Sequence, residues 1–309
     1  MQTQRFATPN VAERYPYPIV GAVPWQRTDG GFRAEIAFPV LEPGHILVPS
    51  FAMLGAGDYG FRFVLEAEGT TWPLDPVHLA EANGGTVTSA VSTHIDCFHT
   101  HTQITNAVLV LEVAADTVEG RAHLFTVALR PLRIEPDAGT RTTLPIAVPP
   151  VSQLTAPRGI RHRICSPTCV NMVLSSYGIA THNGELTPMC RHVATEMYGV
   201  WPLNLWAASR KGALGAVELF CSLDEVAGAL DHGLPVVASI RFHAGELPGA
   251  PLTATGGHLV VVTELGEHDV AVNDPAGRGI DGVPRRYPRA ALASAWLTRR
   301  GAAYVILPP

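Results

Sequence analysis

Between Phe32 and Arg130 the chain runs through a series of short segments of β-type composition: FRAEIAFPV, HILVPSFAM, YGFRFVLE, TVTSAVSTH, AVLVLEVA and AHLFTVALR. Turn-forming clusters separate them at Asp29-Gly30-Gly31, Glu42-Pro43-Gly44, Gly55-Ala56-Gly57-Asp58 and Asn83-Gly84-Gly85. Branched and aromatic residues suit a pleated backbone, the turn residues supply the reversals, and no helical period interrupts the series. The pattern predicts an antiparallel sandwich. Glu135 to Pro150 is rich in turn formers and reads as a linker.

The character changes after about residue 145. Cys165-Ser166-Pro167-Thr168 opens an apolar run ending at Tyr177-Gly178, with proline suited to a first helical turn and glycine to a C-terminal cap. A second helix is predicted to start at Thr187-Pro188. A third is signalled by the capping box Ser222-Leu223-Asp224-Glu225 and stops at His232-Gly233. Strand-like runs follow at Pro235 to Ile240, His258 to Glu264 and Asp269 to Asn273, then a helix from near Pro288 through Trp296 and a strand Ala303 to Leu307. Helices followed by a run of strands predict α+β. A chain of 309 residues exceeds one ordinary core. The expected organisation is two domains: residues 1–145, an all-β antiparallel sandwich with its linker, and residues 146–309, an α+β domain.

Composition narrows the function classes. With 47% hydrophobic and 16% charged residues the chain can bury a core, which excludes wholesale disorder. A net charge of −5 with no basic run argues against a nucleic-acid partner. No apolar stretch reaches the roughly 18 residues that span a bilayer, so no membrane partner is expected. The start MQTQRFATPNVAERYPYP has no apolar signal core. The five cysteines, Cys97, Cys165, Cys169, Cys190 and Cys221, are odd in number and irregularly spaced, unlike a disulfide framework. The expected compartment is reducing and cytoplasmic.

The residues that carry chemistry lie in the second half. Cys165 stands at the start of a predicted helix, where unpaired N–H groups and the positive dipole end stabilise a thiolate. A thiolate nucleophile also requires a base, a group that orients the base, and donors for an oxyanion. His258 follows Gly256-Gly257, whose lack of side chains lets a substrate backbone approach. Asp274 ends the next predicted strand, and the Gly266-Glu267-His268 turn between two antiparallel strands would bring it beside His258. Asn273 is a competing orienter. The amide of Gln153 and the backbone N–H of Cys165 are candidate oxyanion donors.

The ordered motifs Val151-Ser152-Gln153, Cys165-Ser166-Pro167-Thr168-Cys169 with Met172-Val173-Leu174, Gly256-Gly257-His258-Leu259-Val260-Val261 and Asn273-Asp274-Pro275-Ala276 resemble the peptidase C39-like cysteine peptidases, a branch of the papain-like fold. Tyr198-Gly199-Val200-Trp201-Pro202, Gly233-Leu234-Pro235-Val236-Val237 and the segment Arg289 to Pro308 agree as well. The resemblance covers roughly residues 150–309. It implies Cys165 as nucleophile, His258 as general base and acid, Asp274 as orienter and Gln153 as oxyanion-hole donor. It also implies a peptide or protein substrate and no cofactor or metal. The interval from Gln153 to Cys165, with Arg158 to Arg163, is longer than in transporter-linked members, and the leader-trimming role of those members does not carry over. The first half resembles, more faintly, a β-sandwich that precedes the peptidase domain in free-standing members. The implied activity is a cysteine peptidase; the alternatives are an acyl transferase on the same residues and a catalytically silent peptide-binding module.

Other features have plainer readings. Cys169, one helical turn from Cys165, fits core packing better than metal binding or oxidation. Cys190 and His192 lack zinc-site spacing. Cys97, His99 and His101 would share one face of a strand, a geometry that could hold a metal, but the segment fits an exposed polar edge or loop better. Trp201 and Trp206 are candidates for lining a peptide cleft or for core.

Overall fold

The computed structural model describes residues 2–55, 57–79 and 88–309. Its first half contains β1 (Gln2–Ala7), the short helix α1 (Pro9–Ala12), β2 (Gln26–Thr28), β3 (Gly31–Leu41), β4 (His45–Met53), β5 (Gly60–Ala67), β6 (Thr70–Pro73), β7 (Val91–Thr93), β8 (Phe98–Thr100), β9 (Ile104–Ala114) and β10 (His123–Pro131). These form two five-stranded sheets, ordered β1-β10-β4-β8-β7 and β2-β3-β9-β5-β6, in which every ladder is antiparallel. The Asn83-Gly84-Gly85 turn and the start of TVTSAVSTH lie outside the described residues, as does Ala56.

The second half contains α2 (Cys165–Ser176), α3 (Asn183–Met189), α4 (Trp201–Arg210), β11 (Gly215–Leu219), α5 (Leu223–Asp231), β12 (Val236–Phe242), β13 (Thr255–Leu265), β14 (Asp269–Asn273), β15 (Pro284–Pro288), α6 (Arg289–Leu297) and β16 (Ala302–Ile306). One six-stranded antiparallel sheet, ordered β11-β16-β12-β13-β14-β15, runs through it. Strand alternation buries both faces. Val237 and Val261 pack with Val170 and Val173 of α2, while Val236, Ala238 and Val260 pack with Val226 of α5 and Trp296 of α6. Each fully buried branched side chain of this kind contributes about 1.5–3 kcal/mol over its exposed state. No described helix is long and apolar enough to cross a membrane.

Local signals account for several helix ends. Gly178 takes φ +76 just past α2, a conformation glycine adopts without strain. At α5 the Ser222 hydroxyl accepts from Glu225 N at 3.2 Å, and the Glu225 carboxylate reaches one residue further back than a standard capping box, accepting from Cys221 N at 2.7 Å. The helix predicted to start at Thr187-Pro188 instead ends there. Pro188 sits in the last turn of α3, where its missing N–H removes one hydrogen bond and leaves the body of the helix intact.

The two halves meet through β4 and β10, each of which is buried along nearly its whole length. Leu47, Phe51, Phe125 and Val127 point into the apolar cluster shared by the first two sheets. Their neighbours Ile46, Val48, Ala52, Leu124 and Ala128 belong to clusters built mainly from the second half. Between them, Ser50 Oγ accepts from Val217 N at 2.9 Å, and Thr126 Oγ1 donates to Val217 O at 3.3 Å. Two hydroxyls thereby cover polar groups on the β11 edge, where a sheet would otherwise offer itself for pairing. Alongside, the guanidinium of Arg5 binds both carboxylate oxygens of Glu218 at 2.8 and 2.7 Å, and Tyr15 Oη donates to the same carboxylate at 2.7 Å. Arg130, fully buried, donates to the carbonyls of Phe220 and Leu297.

The predicted linker has no regular element, yet it is fastened along its length. Ile134 N donates to Thr298 O, Thr143 N to Leu265 O and Ile146 N to Thr263 O. Val148 O accepts from Asn273 Nδ2 at 2.9 Å. These bonds lead the chain along β13 and β14 to the segment that precedes α2.

Candidate active site

Cys165 is the first residue of α2. No side chain caps this helix, which leaves the N–H of Ser166 in its first turn to act on the sulfur. Behind the sulfur, α2 is anchored by a buried hydrogen bond from Cys169 Sγ to Leu259 O, 3.3 Å long. Cys169 is thus a core thiol, and burial pushes its pKa well up.

β13 brings His258 to the sulfur, and β14 brings Asp274 to His258. His258 Nε2 lies 2.7 Å from Asp274 Oδ1, with both side chains almost wholly buried. The same ring is close enough to the Cys165 sulfur for the two to influence each other's ionisation. With Nε2 on Asp274, Nδ1 is the ring nitrogen left free of that carboxylate. Asp274 is itself held by two further donors: Tyr287 Oη to Oδ2 at 2.6 Å and Ala276 N to Oδ1 at 2.9 Å. Asn273, the competing orienter, turns away to Val148 O.

The electrostatics follow from this geometry. Burial lowers the His258 pKa, but the Asp274 carboxylate and the Cys165 sulfur outweigh it and raise the imidazole to about 10. Burial raises the Cys165 thiol, but the His258 ring and the backbone N–H groups of Leu259 and Ser166 leave it below the ordinary thiol value. Burial also opposes ionisation of Asp274, and the imidazole, Tyr287 and Ala276 hold it below the usual carboxylate value. The combination favours a thiolate–imidazolium pair backed by a carboxylate.

Gln153 is buried in a single 3-10 turn and sits beside the Asp274 loop: its backbone N–H donates to Pro275 O at 2.9 Å, and the neighbouring Ser152 Oγ donates to Gly277 O at 2.6 Å. Its side-chain Oε1 is buried without a partner among the described residues. No bond joins its side chain to Cys165.

Cys165 opens onto a cleft of about 810 Å³, walled by Tyr198, Trp201, Gly256 and Gly257 from the second half and by His94 and Asp96 from the first. A Cβ on Gly256 or Gly257 would meet only open space, so these residues form an uncluttered wall next to His258. Trp201 is both core and cleft wall. Its backbone N–H donates to Asp96 Oδ2 at 3.2 Å, which ties the first half to the start of α4. Trp206 belongs elsewhere: its Nε1 donates to Tyr59 O at 3.1 Å.

The histidine-rich segment does not converge on one point. His99 Nδ1 pairs with His94 Nε2 at 3.0 Å, while His101 Nε2 bonds Ser92 Oγ at 3.0 Å. Among the described residues no group of three His, Cys, Asp or Glu is placed to hold a metal. No disulfide joins any of the five cysteines.

Tyr287 escaped the sequence reading. Its only signal is a tyrosine among charged residues on a short strand, Pro284 to Pro288, where a buried ring needs a partner for its hydroxyl.

The site thus sets a cysteine at a helix N-terminus near an imidazole that is bonded to a carboxylate on an antiparallel sheet. Residues 145–304 match the Peptidase_C39 like family, just over half of the chain, and the chain belongs to that family. Two solved structures are similar to part of it. A double glycine motif protease from an AMS/PCAT transporter, in complex with the leader peptide, is 17% identical over 57% of this chain and 100% of that chain, with a TM-score of 0.38. A C39-like peptidase from Bacillus anthracis is 18% identical over 55% of this chain and 98% of that chain, with a TM-score of 0.42. Likeness at these levels bears on neither substrate nor mechanism. No curated protein matches the chain.

Proposed function

We propose that this chain is a cysteine peptidase, hydrolysing a peptide or related amide bond, with a papain-like α+β domain over residues 146–309 and a β-sandwich accessory domain over residues 1–145. The observation that carries the reading is the buried His258–Asp274 hydrogen bond beside Cys165 at the start of α2, with Cys165 opening onto a cleft of peptide dimensions.

The thiolate of Cys165 attacks the scissile carbonyl carbon. The oxyanion that forms is met by the Cys165 N–H, which as the first helical residue has no intrahelical acceptor, and by the amide of Gln153. The location of Gln153 beside the Asp274 loop supports that role; the donor is Nε2, and rotation of the side-chain amide exchanges it with the unpartnered Oε1. Imidazolium His258 gives its proton to the leaving nitrogen as the C–N bond breaks, leaving a thioester. A water then attacks, His258 takes its proton, and the C–S bond breaks to release the acid and restore the thiolate. Asp274 keeps the ring aligned throughout and stabilises its charged form whenever it carries the proton.

The test is digestion of a proteome-derived peptide library, with new termini mapped by mass spectrometry. Cleavage by wild type that vanishes in Cys165→Ala supports the reading. Absence of cleavage, together with absence of a Cys165 thioester after incubation with peptide thioesters, overturns it in favour of a silent binding module. Adding an amine acceptor separates hydrolysis from acyl transfer by the products.

A further inference from the structure

Three arginines line the cleft: Arg163 donates to Glu196 O, and Arg241 and Arg300 have no such bond and no part in the reaction. Arg241 lies on β12 where its pairing with β13 slips: Ile240 faces His258 and Phe242 faces Thr255, so Arg241 alone opposes Gly256-Gly257. A bulge of this two-against-one kind re-aims the side chain beside it, and Arg241 lines the cleft next to the glycine wall. Arg300 reaches the same cleft from the turn before β16, its guanidinium 5.7 Å from the Trp201 ring centroid. Both arginines are half-buried.

Neither has an ion-pair or hydrogen-bond partner among the described residues. The field at Arg241 includes the like charges of Arg300 and Arg299, partly offset by the Asp96 carboxylate. No acid of the cleft is bonded to either arginine: Asp75 pairs with His192 Nε2 at 3.2 Å, and Asp96 accepts from Trp201 N. Two neighbouring, partly desolvated guanidinium groups whose forks bond no carboxylate are an arrangement that a planar anion relieves, since the guanidinium fork matches a carboxylate oxygen for oxygen.

We propose that Arg241 and Arg300 form a carboxylate-binding subsite, so that the cleft selects peptides presenting an acidic group along the wall formed by Gly256 and Gly257. The carboxylate comes from an Asp or Glu side chain or from a free C-terminus. This deepens the peptidase reading and rests on it, naming a substrate class for the same site.

The test reads binding separately from turnover. Cys165 is alkylated with iodoacetamide, which is uncharged, in the presence of Ac-Ala-Ala-Glu-NH2, Ac-Ala-Ala-Gln-NH2 or Ac-Ala-Ala-Gln-OH. At least one carboxylate peptide should protect Cys165 at a concentration about tenfold below the neutral peptide, the scale of a charge-assisted pair. Protection by the first peptide identifies a side-chain carboxylate, and by the third a chain terminus. The advantage should vanish in the Arg241→Gln, Arg300→Gln double variant and return in part when both are lysine. Equal protection by all three peptides overturns the proposal. So does a carboxylate advantage that survives in the double variant, since the charge would then be that of His258. If the peptide library is not cleaved and no Cys165 thioester forms from peptide thioesters, the peptidase reading falls, and the protection result still decides the subsite.

Discussion

Replacing His258 with alanine removes the centre of the site. In the native chain burial pushes the Cys165 thiol up, and the His258 ring and the N–H groups of Leu259 and Ser166 pull it down, with a lowered pKa as the balance. His258→Ala deletes the strongest downward influence and leaves burial in place, so the thiol should move above its ordinary value. An ordinary thiol with a pKa of about 8.5 is roughly 3% thiolate at pH 7, so a complete ion pair raises the reactive form by at most about thirtyfold. The lower basicity of that thiolate returns about half the gain on a logarithmic scale, leaving about fivefold over a free thiol. Against the variant, whose thiol is less ionised than a free one, the ratio at pH 7 should reach about tenfold. The assay is the rate of Cys165 alkylation by iodoacetamide, mapped by mass spectrometry across pH. The wild-type profile should show an acid limb below the ordinary thiol range and a second inflection near pH 10, where the imidazolium loses its proton. The variant should show one limb, displaced to alkaline pH. Equal rates for the two chains at pH 7 would refute the ion-pair argument.

Three further outcomes are expected. Tyr287→Phe deletes the donor to Asp274 Oδ2 and should lower kcat about tenfold with KM unchanged, within the about 1.5–3 kcal/mol of a charged hydrogen bond; an unaltered kcat would show that the hydroxyl only fills space. Asp274→Asn removes the largest upward influence on His258, so the alkaline inflection should move from near pH 10 toward the ordinary imidazole range. His258 is raised in the fold, so its contribution to stability is full below its unfolded pKa of about 6.5 and fades as pH climbs through about 10; the variant's deficit in urea unfolding should therefore be larger at pH 6 than above pH 10. Arg5→Met leaves Glu218 buried opposite an apolar chain and should reduce unfolding free energy by about 3–5 kcal/mol in a urea titration. Much of that loss should return when Glu218 is also made apolar, and a loss below about 1 kcal/mol would contradict the buried pairing.

Much of the strand pattern was readable because alternation and turn chemistry are local. HILVPSFAM and Asp269 to Asn273 form strands over those same residues. The N-terminal β1 was not readable, since QTQRFA is mostly polar and owes its strand state to pairing with β10. β15, PRRYP, depends in the same way on β14. α4 hides behind Trp201-Pro202, where proline at the first turn opens a helix whose apolar faces serve two neighbours at once. At the site, the cysteine, histidine and aspartate were legible because their chemistry requires those residue types in special local contexts. Tyr287 and Arg241 were not, because each acquires its meaning from strand register, one through a single carboxylate oxygen and the other through a slip of pairing.

The strand pair β4 and β10 is oily on both sides, and this bears on how the molecule can be taken apart. A fragment ending near residue 145 would present Ile46, Val48, Leu124 and Ala128 bare to water, and the complementary fragment would leave the rim of β11 uncovered and Glu218 without its cation. Either piece made alone should be sticky and poorly behaved, and the intact polypeptide should melt in a single step.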